Sequence, residues 1–381
     1  IFNAPFDTVN NLNVVKRDVR AAYAEVLIPV TKSLEVTGSV RHDNYSGFGG
    51  TTNPKVTFRF APVQEVLFRG SYSTGFRVPT FSQLFFGITE SPYSGKDLVD
   101  PAKCPTLIVS TAAGCASITP TILSGGKPDL GPEKSKQSSL GIVFAPTNWL
   151  SGNVDYWDIR RDGTIQSLSL TTIVANAGLF PDRFIRDASG NLVSIDTRWI
   201  NAGETITKGI EVGARASGNL WKGKFTASID GTYLIERKSR ILASTGFGPN
   251  EVGTFSRLAD VPVRWKHAAS FNYVQGPWSS TLTQIYSGGY KDAVLPGVAN
   301  GTVVPPNWSP NVKAWITYNL MLTYTGIKNL AITGGIKNLL NTDPPFSAAY
   351  DSNTGAGSSW EPRIADPRGR SYVLGATYSF K

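Results

Sequence analysis

Apolar and polar residues alternate along many segments of this chain with a period of two. The pattern is clearest near the C-terminus, where the apolar positions are Tyr372, Leu374, Ala376, Tyr378 and Phe380. Successive side chains of an extended strand point to opposite faces of a sheet, so each such segment has one apolar face and one small or polar face. The same alternation runs through residues 34–41 and 225–233. The sequence therefore predicts an all-β protein.

Thirteen strands are predicted on this basis, and the lengths of their connections alternate. The predicted strands are 17–30, 33–45, 52–61, 64–75, 134–145, 149–162, 204–217, 221–237, 262–275, 278–291, 311–325, 328–340 and 369–381. Every second connection is a tight turn of a few residues. The connections between these turns are mostly long, at 76–133, 163–203, 238–261, 292–310 and 341–368, with a short one at 46–51.

This alternation of short and long connections predicts a membrane barrel. Long loops without secondary structure of their own are uncommon in compact soluble domains. A transmembrane barrel has tight turns at its periplasmic rim and large loops at its extracellular rim, with apolar residues toward lipid and polar residues toward the lumen. We expect an antiparallel up-and-down transmembrane β-barrel in which lipid-facing and lumen-facing positions follow the period of two.

The topology also predicts where several exposed rings and the missing strands lie. If the last strand ends on the periplasmic side, four rings lie near that interface, at Trp149, Trp221, Trp278 and Phe380. An odd number of strands leaves the first strand without a partner, which lipid does not tolerate. We therefore expect more barrel before Ile1 and residues 17–381 as the C-terminal part of the barrel.

Composition and charge agree with a barrel and limit the classes of partner that it is expected to bind. Aromatic residues make up 11% of the chain, with 9 Trp, 14 Tyr and 19 Phe, which suits aromatic girdles. No run of 18 apolar residues exists, so a membrane-spanning helix is excluded. The net charge of +9 comes from Lys and Arg that are scattered along the chain, and we therefore expect no nucleic-acid partner. Basic loops could instead face anionic lipopolysaccharide or an anionic solute.

The only two cysteines, Cys104 and Cys115, lie in a polar stretch that contains Pro and Gly. Their separation suits one local disulfide in an oxidising compartment such as the periplasm or the cell surface. Two free thiols are the alternative. Two cysteines alone cannot build a structural zinc site.

The sequence carries little of the chemistry that enzymes use. It contains no Gly-x-Ser-x-Gly elbow, no phosphate-binding loop in which Gly-x-x-x-x-Gly-Lys is followed by Ser or Thr, and no His pair with ligand spacing. The two histidines, His42 and His267, fall on the lipid-facing register of their strands. Asp155 and Asp158 fall on opposite faces of one strand, which does not suit an acid–base pair. We expect no enzyme activity, no cofactor and no bound metal.

Five groups of residues, in this order along the chain, carry a resemblance to a known family. They are Asn53-Pro54-Lys55-Val56 leading into Arg69-Gly70-Ser71-Tyr72-Ser73-Thr74-Gly75-Phe76-Arg77-Val78-Pro79; Pro128-Asp129-Leu130-Gly131-Pro132-Glu133-Lys134-Ser135; Asn201-Ala202-Gly203 with Gly209-Ile210-Glu211; Lys337-Asn338-Leu339-Leu340-Asn341 with Pro344-Pro345-Phe346; and Asp366-Pro367-Arg368-Gly369-Arg370. In these groups the chain resembles the TonB-dependent receptors of the Gram-negative outer membrane. The resemblance covers essentially the whole chain.

The resemblance implies a fold, a function and a set of partners. Barrels of this family have twenty-two strands closed around an N-terminal plug, so the thirteen predicted strands would be strands ten to twenty-two, without the plug and the TonB-binding box. On this count, residues 1–16 would be the remnant of an extracellular loop. The implied function is TonB-energised uptake of a scarce nutrient, such as a ferric siderophore or another bulky solute. The implied partners are that solute, outer-membrane lipid and lipopolysaccharide, the protein's own plug domain and the TonB complex. A passive outer-membrane channel and an adhesion or assembly barrel remain as alternatives.

Haem is not the expected solute, because haem receptors of this family use a His in the loop that corresponds to 80–127, and this stretch contains none.

Several motif residues have predicted structural roles. Pro79 cannot donate a hydrogen bond to a sheet, so we expect Phe76-Arg77-Val78-Pro79 to end a strand. Glu133 begins the next strand, and we expect its carboxylate to pair with a lumen or loop cation. Asn338 and Asn341 flank a strand exit, where side-chain amides can bond loop backbone groups.

Ligand-contact residues are predicted from location alone. A receptor that holds its solute above the plug uses loop residues that face the extracellular vestibule, and aromatic and Arg side chains suit that role. The candidates are Arg77, Phe81, Phe85, Tyr93, Tyr290, Trp308, Tyr350 and Trp360. Packing within the loops is the alternative role for each of them.

Overall fold

The structure is a computed structural model, and it describes residues 15–242, 244–255, 261–292, 294, 298, 301, 304, 309–348 and 359–380. Most of the predicted loop remnant 1–16 lies outside the described residues. Among the described residues, no helix is long and apolar enough to cross a membrane.

The described residues form twenty-one strands and two short α-helices. The strands, in chain order, are β1 Val19–Pro29, β2 Leu34–Tyr45, β3 Gly49–Val63, β4 Val66–Arg77, β5 Thr89–Pro92, β6 Thr121–Ser124, β7 Glu133–Thr147, β8 Leu150–Asp162, β9 Ile165–Gln166, β10 Phe184–Arg186, β11 Leu192–Asp196, β12 Ile200–Asn201, β13 Glu204–Leu220, β14 Gly223–Arg240, β15 Trp265–Gln275, β16 Trp278–Ser287, β17 Tyr290–Lys291, β18 Asn311–Val312, β19 Trp315–Ile327, β20 Leu330–Lys337 and β21 Ser371–Tyr378. The helices are α1 Phe81–Phe85 and α2 Leu170–Ala175.

Thirteen of these strands form one antiparallel sheet, which confirms the predicted all-β class. Their order in the sheet is β1-β2-β3-β4-β7-β8-β13-β14-β15-β16-β19-β20-β21. Each of them overlaps one of the thirteen predicted strands. Within the described residues, β1 pairs only with β2 and β21 only with β20, so the sheet is not closed.

The register gives this sheet two chemically different faces. The apolar face contains Phe68, Leu140, Ile142, Val154, Val212, Ile229, Phe271, Leu282 and Leu320, which follow one another across paired strands. On the polar face, Ser71 bonds Ser139 at 2.7 Å and Ser228 bonds Ser270 at 2.9 Å. Period-two alternation therefore assigned these residues to the correct faces.

Tight turns join the paired strands at one end of the sheet. Aromatic residues stand at this end and are exposed, with Trp149 at 55%, Trp221 at 89%, Trp278 at 48% and Phe380 at 90% of their surface. The connection predicted at 46–51 is shorter than expected, because Gly47 and Gly49 adopt positive φ angles of 84° and 78° and close a hairpin between β2 and β3.

The two longest connections are not irregular loops, as the sequence had suggested. Strands β5 and β6 come from the connection after β4, and β10 and β11 come from the connection after β8. Together they form a four-stranded sheet in the order β10-β11-β6-β5, in which β11 and β6 run parallel. We call the two connections, residues 78–132 and 163–203, the loop module.

The loop module has its own hydrophobic core. Its buried residues are Leu98, Ile173, Val174, Phe180, Phe184 and Ile195. They come from both connections, so neither can bury this surface without the other. The Arg186 guanidinium also donates two hydrogen bonds to Asp100, at 2.6 and 2.7 Å, and thereby joins the connections electrostatically.

Candidate functional site

A cavity of about 770 Å³ opens on the polar face at the end of the sheet from which the long connections leave. We call it the vestibule cavity. Its lining includes the side chains of Arg77, Glu133, Arg161, Trp199, Arg237 and Phe255. Because strands β4, β7, β8 and β14 supply the charged groups, the sheet holds these groups at fixed spacing.

Arg77 and Glu133 stand at one side of this cavity and form a bidentate ion pair. Arg77 Nε donates to Glu133 Oε2 at 2.8 Å, and Arg77 Nη2 donates to Oε1 at 2.7 Å. The two residues are directly paired, at the last position of β4 and the first of β7. The backbone N–H of Ile165 donates to the same carboxylate at 2.7 Å. The predicted pairing of Glu133 with a cation is therefore confirmed.

Arg161 and Arg237 bring two further cations to the cavity. Arg161 is exposed and follows the polar-face register of β8, and the structure shows no ion pair for it within the described residues. Arg237 Nε lies 3.4 Å from Glu251 Oε2. The cavity therefore offers an accessible guanidinium at Arg161, which suits an anionic group on a solute.

Asn201 fixes the loop backbone beside the vestibule cavity. Its side-chain amide donates to the carbonyls of Gly131 and Gly163, both at 2.9 Å, and its oxygen accepts from Gly131 N at 2.6 Å. One side chain thus joins the end of the first half of the loop module and the start of its second half to the strand β12. In the Asn201-Ala202-Gly203 motif, the asparagine therefore has a structural role, which is to hold the backbone of the two loop segments together.

The strand exit at Asn338 and Asn341 is built as predicted. Both residues have positive φ angles, 49° and 52°. The Asn338 amide donates to the carbonyl of Thr342 and its oxygen accepts from Thr342 N, while Asn341 accepts from Arg370 N.

Of the predicted ligand-contact residues that the structure describes, only Arg77 is among those that line the vestibule cavity. Phe81 and Phe85 lie on α1, are 45% and 38% exposed, and line a separate cavity of about 470 Å³. The Arg17 guanidinium carbon lies 4.7 Å from the centroid of the Phe81 ring, a cation–π contact. These two rings are accessible, but they belong to another surface.

Tyr93 and Tyr290 pack inside the loops. The Tyr93 hydroxyl donates to Asp97 Oδ1 at 2.5 Å, and burial together with this bond raises the pKa of Tyr93 to about 12. Tyr290 is 5% exposed among Val261, Val263 and Val312. Burial is also the main reason that the pKa of Tyr290 rises to about 12. In this arrangement a solute in the vestibule cavity cannot reach the Tyr290 ring.

The remaining candidates are placed as follows. Trp360 is half-buried near Glu361, and Trp308 and Tyr350 lie outside the described residues. Cys104 and Cys115 form a disulfide within the loop module, where both residues are buried against Val99.

The titratable groups of the described chain do not assemble into a metal site. No group of three or more His, Cys, Asp or Glu residues is placed to hold a metal ion in the described ranges. His42 and His267 both lie on the apolar face, where His267 Nδ1 accepts from Trp265 Nε1 at 2.8 Å and the other ring nitrogen bonds Gln284.

The sequence patterns overlooked Arg161, Trp199, Arg237 and Phe255 as cavity residues. Arg161 could have been found, because it continues the alternation of Asp155, Trp157 and Ile159. Arg237 could not, because β14 contains a bulge next to Leu234 that shifts its pairing with β13 by one residue. A one-residue shift moves every later side chain to the other face.

Comparison with known proteins identifies relatives of this chain. Residues 1–339 match the family model described as TonB dependent receptor-like, beta-barrel. A curated protein from Acinetobacter baumannii, described as probable TonB-dependent siderophore receptor PirA, is 22% identical over 373 residues, which is 95% of this chain and 43% of that protein.

Solved structures show the same fold. A mutant form of the ferric enterobactin receptor PfeA of Pseudomonas aeruginosa superposes with a TM-score of 0.64 at 15% identity, over 96% of this chain and 45% of that chain. The siderophore receptor PirA of Acinetobacter baumannii superposes with a TM-score of 0.62 at 17% identity, over 96% and 46%. The present chain therefore spans a little under half the length of these relatives.

Proposed function

This chain belongs to the family of TonB-dependent receptor β-barrels, and from this premise we propose that it forms part of an outer-membrane receptor for a ferric siderophore. In this proposal the apolar face contacts lipid in the outer membrane of a Gram-negative bacterium, and the polar face lines the lumen. The receptor's own plug domain and a TonB complex complete the transporter. Its family is one of transporters and receptors, not of enzymes.

The observation that carries the proposal is the family match over residues 1–339. The names of the similar proteins support the choice of solute, because they are receptors for siderophores, and PfeA is a receptor for ferric enterobactin. The proposed substrate is therefore a class, the ferric siderophores.

The vestibule cavity supports an anionic ferric chelate within that class. Its accessible cation, Arg161, stands above the lumen between the paired cations Arg77 and Arg237 and close to two rings, Trp199 and Phe255. A guanidinium attracts an anionic ligand, and rings give contact area at a small entropic cost. We propose that this cavity receives the solute, with Arg77 at its edge and Phe81 and Phe85 on a neighbouring surface.

The test is binding and uptake of ferric siderophores by the natural full-length protein. We expect Arg161→Gln to weaken binding of an anionic ferric chelate about tenfold at low ionic strength, with a smaller loss at high salt. Arg215→Gln is the matched control, because Arg215 lies on the same face at the tight-turn end, beside a different cavity. The pair Phe81→Ala and Phe85→Ala tests the neighbouring surface.

Uptake should also require TonB. Transport that persists undiminished in cells without TonB would favour a passive channel. Equal binding by all variants and the unsubstituted protein would place the solute site outside the residues described here.

A further inference from the structure

A second cavity on the polar face, of about 460 Å³, adjoins the vestibule cavity and lies closer to the tight-turn end of the sheet. We call it the lower cavity. Thr207 of β13 lines it, whereas Thr205, two residues nearer the long connections, lines the vestibule cavity. Arg161 and Arg237 line both cavities, so a molecule in one cavity lies next to a molecule in the other.

The bulge in β14 gives the lower cavity its mixed chemistry. In the ladder with β13, the bulge leaves Ile235 without an opposite residue. This extra residue allows Leu234 and Arg237 to face the lumen together, although they are three positions apart. In a regular strand, residues three positions apart point to opposite faces. One short stretch of β14 therefore supplies both an apolar and a cationic side chain.

The Asn250 side chain holds this bulge in place. Its amide donates to the carbonyl of Ile235 at 3.0 Å, and its oxygen accepts from the backbone N–H of Arg237 at 3.0 Å. The backbone N–H of Glu251 donates to the Arg237 carbonyl at 2.8 Å. Backbone groups that a bulge removes from the ladder need such partners. The shape of the lower cavity is thus fixed by specific hydrogen bonds.

Two of the three cations in the lower cavity are open to an anion. Arg161 and Lys266 are exposed, and neither pairs with a carboxylate among the residues that the structure describes. The third cation, Arg237, is positioned by Glu251, because its Nε lies 3.4 Å from Glu251 Oε2. Guanidinium and ammonium groups that face one cavity favour an anionic group inside it.

The carboxylate of Glu211 does not neutralise Lys266. The two residues lie on one row of the register, with Thr232 between them. Glu211 accepts hydrogen bonds from Thr232 Oγ1 at 2.7 Å and from Trp157 Nε1 at 3.2 Å. Within the described part of the chain, no ion pair joins it to Lys266.

Part of the lining of the lower cavity is apolar and rigid. Val261 and Val263 are each 1% exposed and belong to the buried cluster that contains Tyr290 and Val312. Leu234 adds further apolar surface. A cavity of this volume suits one small organic group. Its cations and its apolar lining together suit a group with a negative charge at one end and an apolar body.

We propose that the lower cavity is a separate site for one anionic arm of the solute, a carboxylate joined to a ring or an alkyl chain. Lys266 and Arg161 bind the carboxylate, and Leu234 and Val261 contact the apolar part of the arm. The inference rests on the proposed function, because the body of the same solute occupies the vestibule cavity. The receptor therefore prefers ferric chelates that carry a free carboxylate arm.

The test uses the natural full-length protein and para-trifluoromethylbenzoate as a probe, whose binding is followed by fluorine NMR. We expect Lys266→Gln to weaken binding of the probe about tenfold at low ionic strength. Lys55→Gln is the matched control, because Lys55 is an exposed lysine on the polar face of β3 and does not line the lower cavity. This control should bind the probe as well as the unsubstituted protein. The uncharged para-trifluoromethylbenzamide should not distinguish the three proteins.

Asn250→Ala tests the bulge without removing a charge. We expect this variant to bind the probe several-fold more weakly and to exchange backbone hydrogens faster at residues 235–237. Faster exchange with unchanged affinity would overturn the assignment of the site to the bulge.

Competition tests whether the site takes an arm of the solute. Each ferric siderophore that the receptor takes up is added to the bound probe, together with a derivative in which its free carboxylates are amidated. We expect the free acid to displace the probe and the amide to leave it bound. Displacement should need a higher concentration of the chelate in Arg161→Gln, because Arg161 lines both cavities.

Simultaneous binding of probe and chelate would overturn the inference, as would uptake that is confined to chelates without a free carboxylate. Equal binding of the probe by Lys266→Gln and Lys55→Gln would also overturn it. A failure of the proposed function has a different signature. In that case no ferric chelate is bound or taken up, while Lys266 still governs binding of the probe.

Discussion

Arg77 and Glu133 face each other across β4 and β7, with both guanidinium-to-carboxylate hydrogen bonds between 2.7 and 2.8 Å. The arrangement is asymmetric, because Glu133 is buried at 6% exposure whereas the Arg77 side chain is 45% exposed. Glu133 also accepts from Ile165 N, so one carboxylate holds the end of β4, the start of β7 and the strand β9 together. The ion pair therefore orders the rim of the vestibule cavity, whether or not it contacts solute.

This asymmetry predicts an order of stability among variants. Arg77→Gln leaves a buried carboxylate with only a backbone donor, and we expect it to cost about 3 kcal/mol. The double variant Arg77→Gln with Glu133→Gln removes that charge and should recover at least about 1 kcal/mol. Urea unfolding of the full-length protein measures both. Equal midpoints for the single and double variants would show that the carboxylate is not held in this way.

The disulfide should stabilise the loop module and not the sheet. It closes a ring with a sequence separation of 11 residues, and a ring of this size contributes about 2–3 kcal/mol. We expect reduction, or Cys104→Ser with Cys115→Ser, to make residues 101–120 open to proteases while strands β7 and β8 stay protected. Limited proteolysis followed by mass spectrometry checks this, with the oxidised protein as reference. Free-thiol labelling of the unreduced protein would contradict the bond itself.

The contact between Asp100 and Arg186 makes the loop module sensitive to acid. The two hydrogen bonds from Arg186 hold the pKa of Asp100 below its ordinary value, and the bond from Ala102 N adds to the effect despite partial burial. A depressed pKa contributes stability above the ordinary carboxyl pKa, about 3.9, and this contribution is lost as the pH falls below it. The module should therefore loosen below about pH 4.

Hydrogen exchange at residues 184–196, corrected for the intrinsic pH dependence of exchange, measures this loosening. Asp100→Asn should lower protection at pH 7 and reduce the further loss toward pH 3. Some loss will remain, because the pKa of Asp196 in the same module is also lowered, chiefly by hydrogen bonds from Arg198 that outweigh its burial. A pH profile identical in Asp100→Asn and the unsubstituted protein would exclude Asp100 as a contributor.

The strands of the large sheet could be predicted because apolar and polar residues alternate along each of them, and this alternation depends only on neighbouring residues in the chain. Alternation identified the faces of Phe271 and Ser270, and the order of short and long connections identified the architecture. These features depend on the pleat of a single strand and on the lengths of connections, both of which can be read along the chain.

The structure of the loop module could not be predicted, because it is held together by contacts between segments that are distant in the sequence. β11 has five residues and pairs with the four-residue β6 about seventy positions earlier, too short a stretch for periodicity to reveal. Ile195 is fully buried only because both connections cover it. The vestibule cavity could be predicted only in part, because the bulge in β14 moves Arg237 to the polar face.

Gly203 gives a final prediction, because its conformation depends on close packing as well as on backbone angles. It has a φ of +67° at the start of β13, and a Cβ atom there would collide with the carbonyl oxygen of Arg240, which is backbone and cannot rotate away. Gly190 has a similar φ of +79° but open space around it. Gly190→Ala should therefore cost only the backbone penalty, about 1–2 kcal/mol.

Gly203→Ala adds the steric clash to the same penalty, and we expect it to cost several kcal/mol more than Gly190→Ala. The strain should separate β13 from β14 at the end of the sheet from which the long connections leave. Thr205 and Arg237 would then move apart at the vestibule cavity. Urea midpoints of the two variants give the difference in stability, and hydrogen exchange across 204–208 and 236–240 locates it. If the two alanine variants were equally stable, the close approach of Gly203 to Arg240 would not exist in the folded protein.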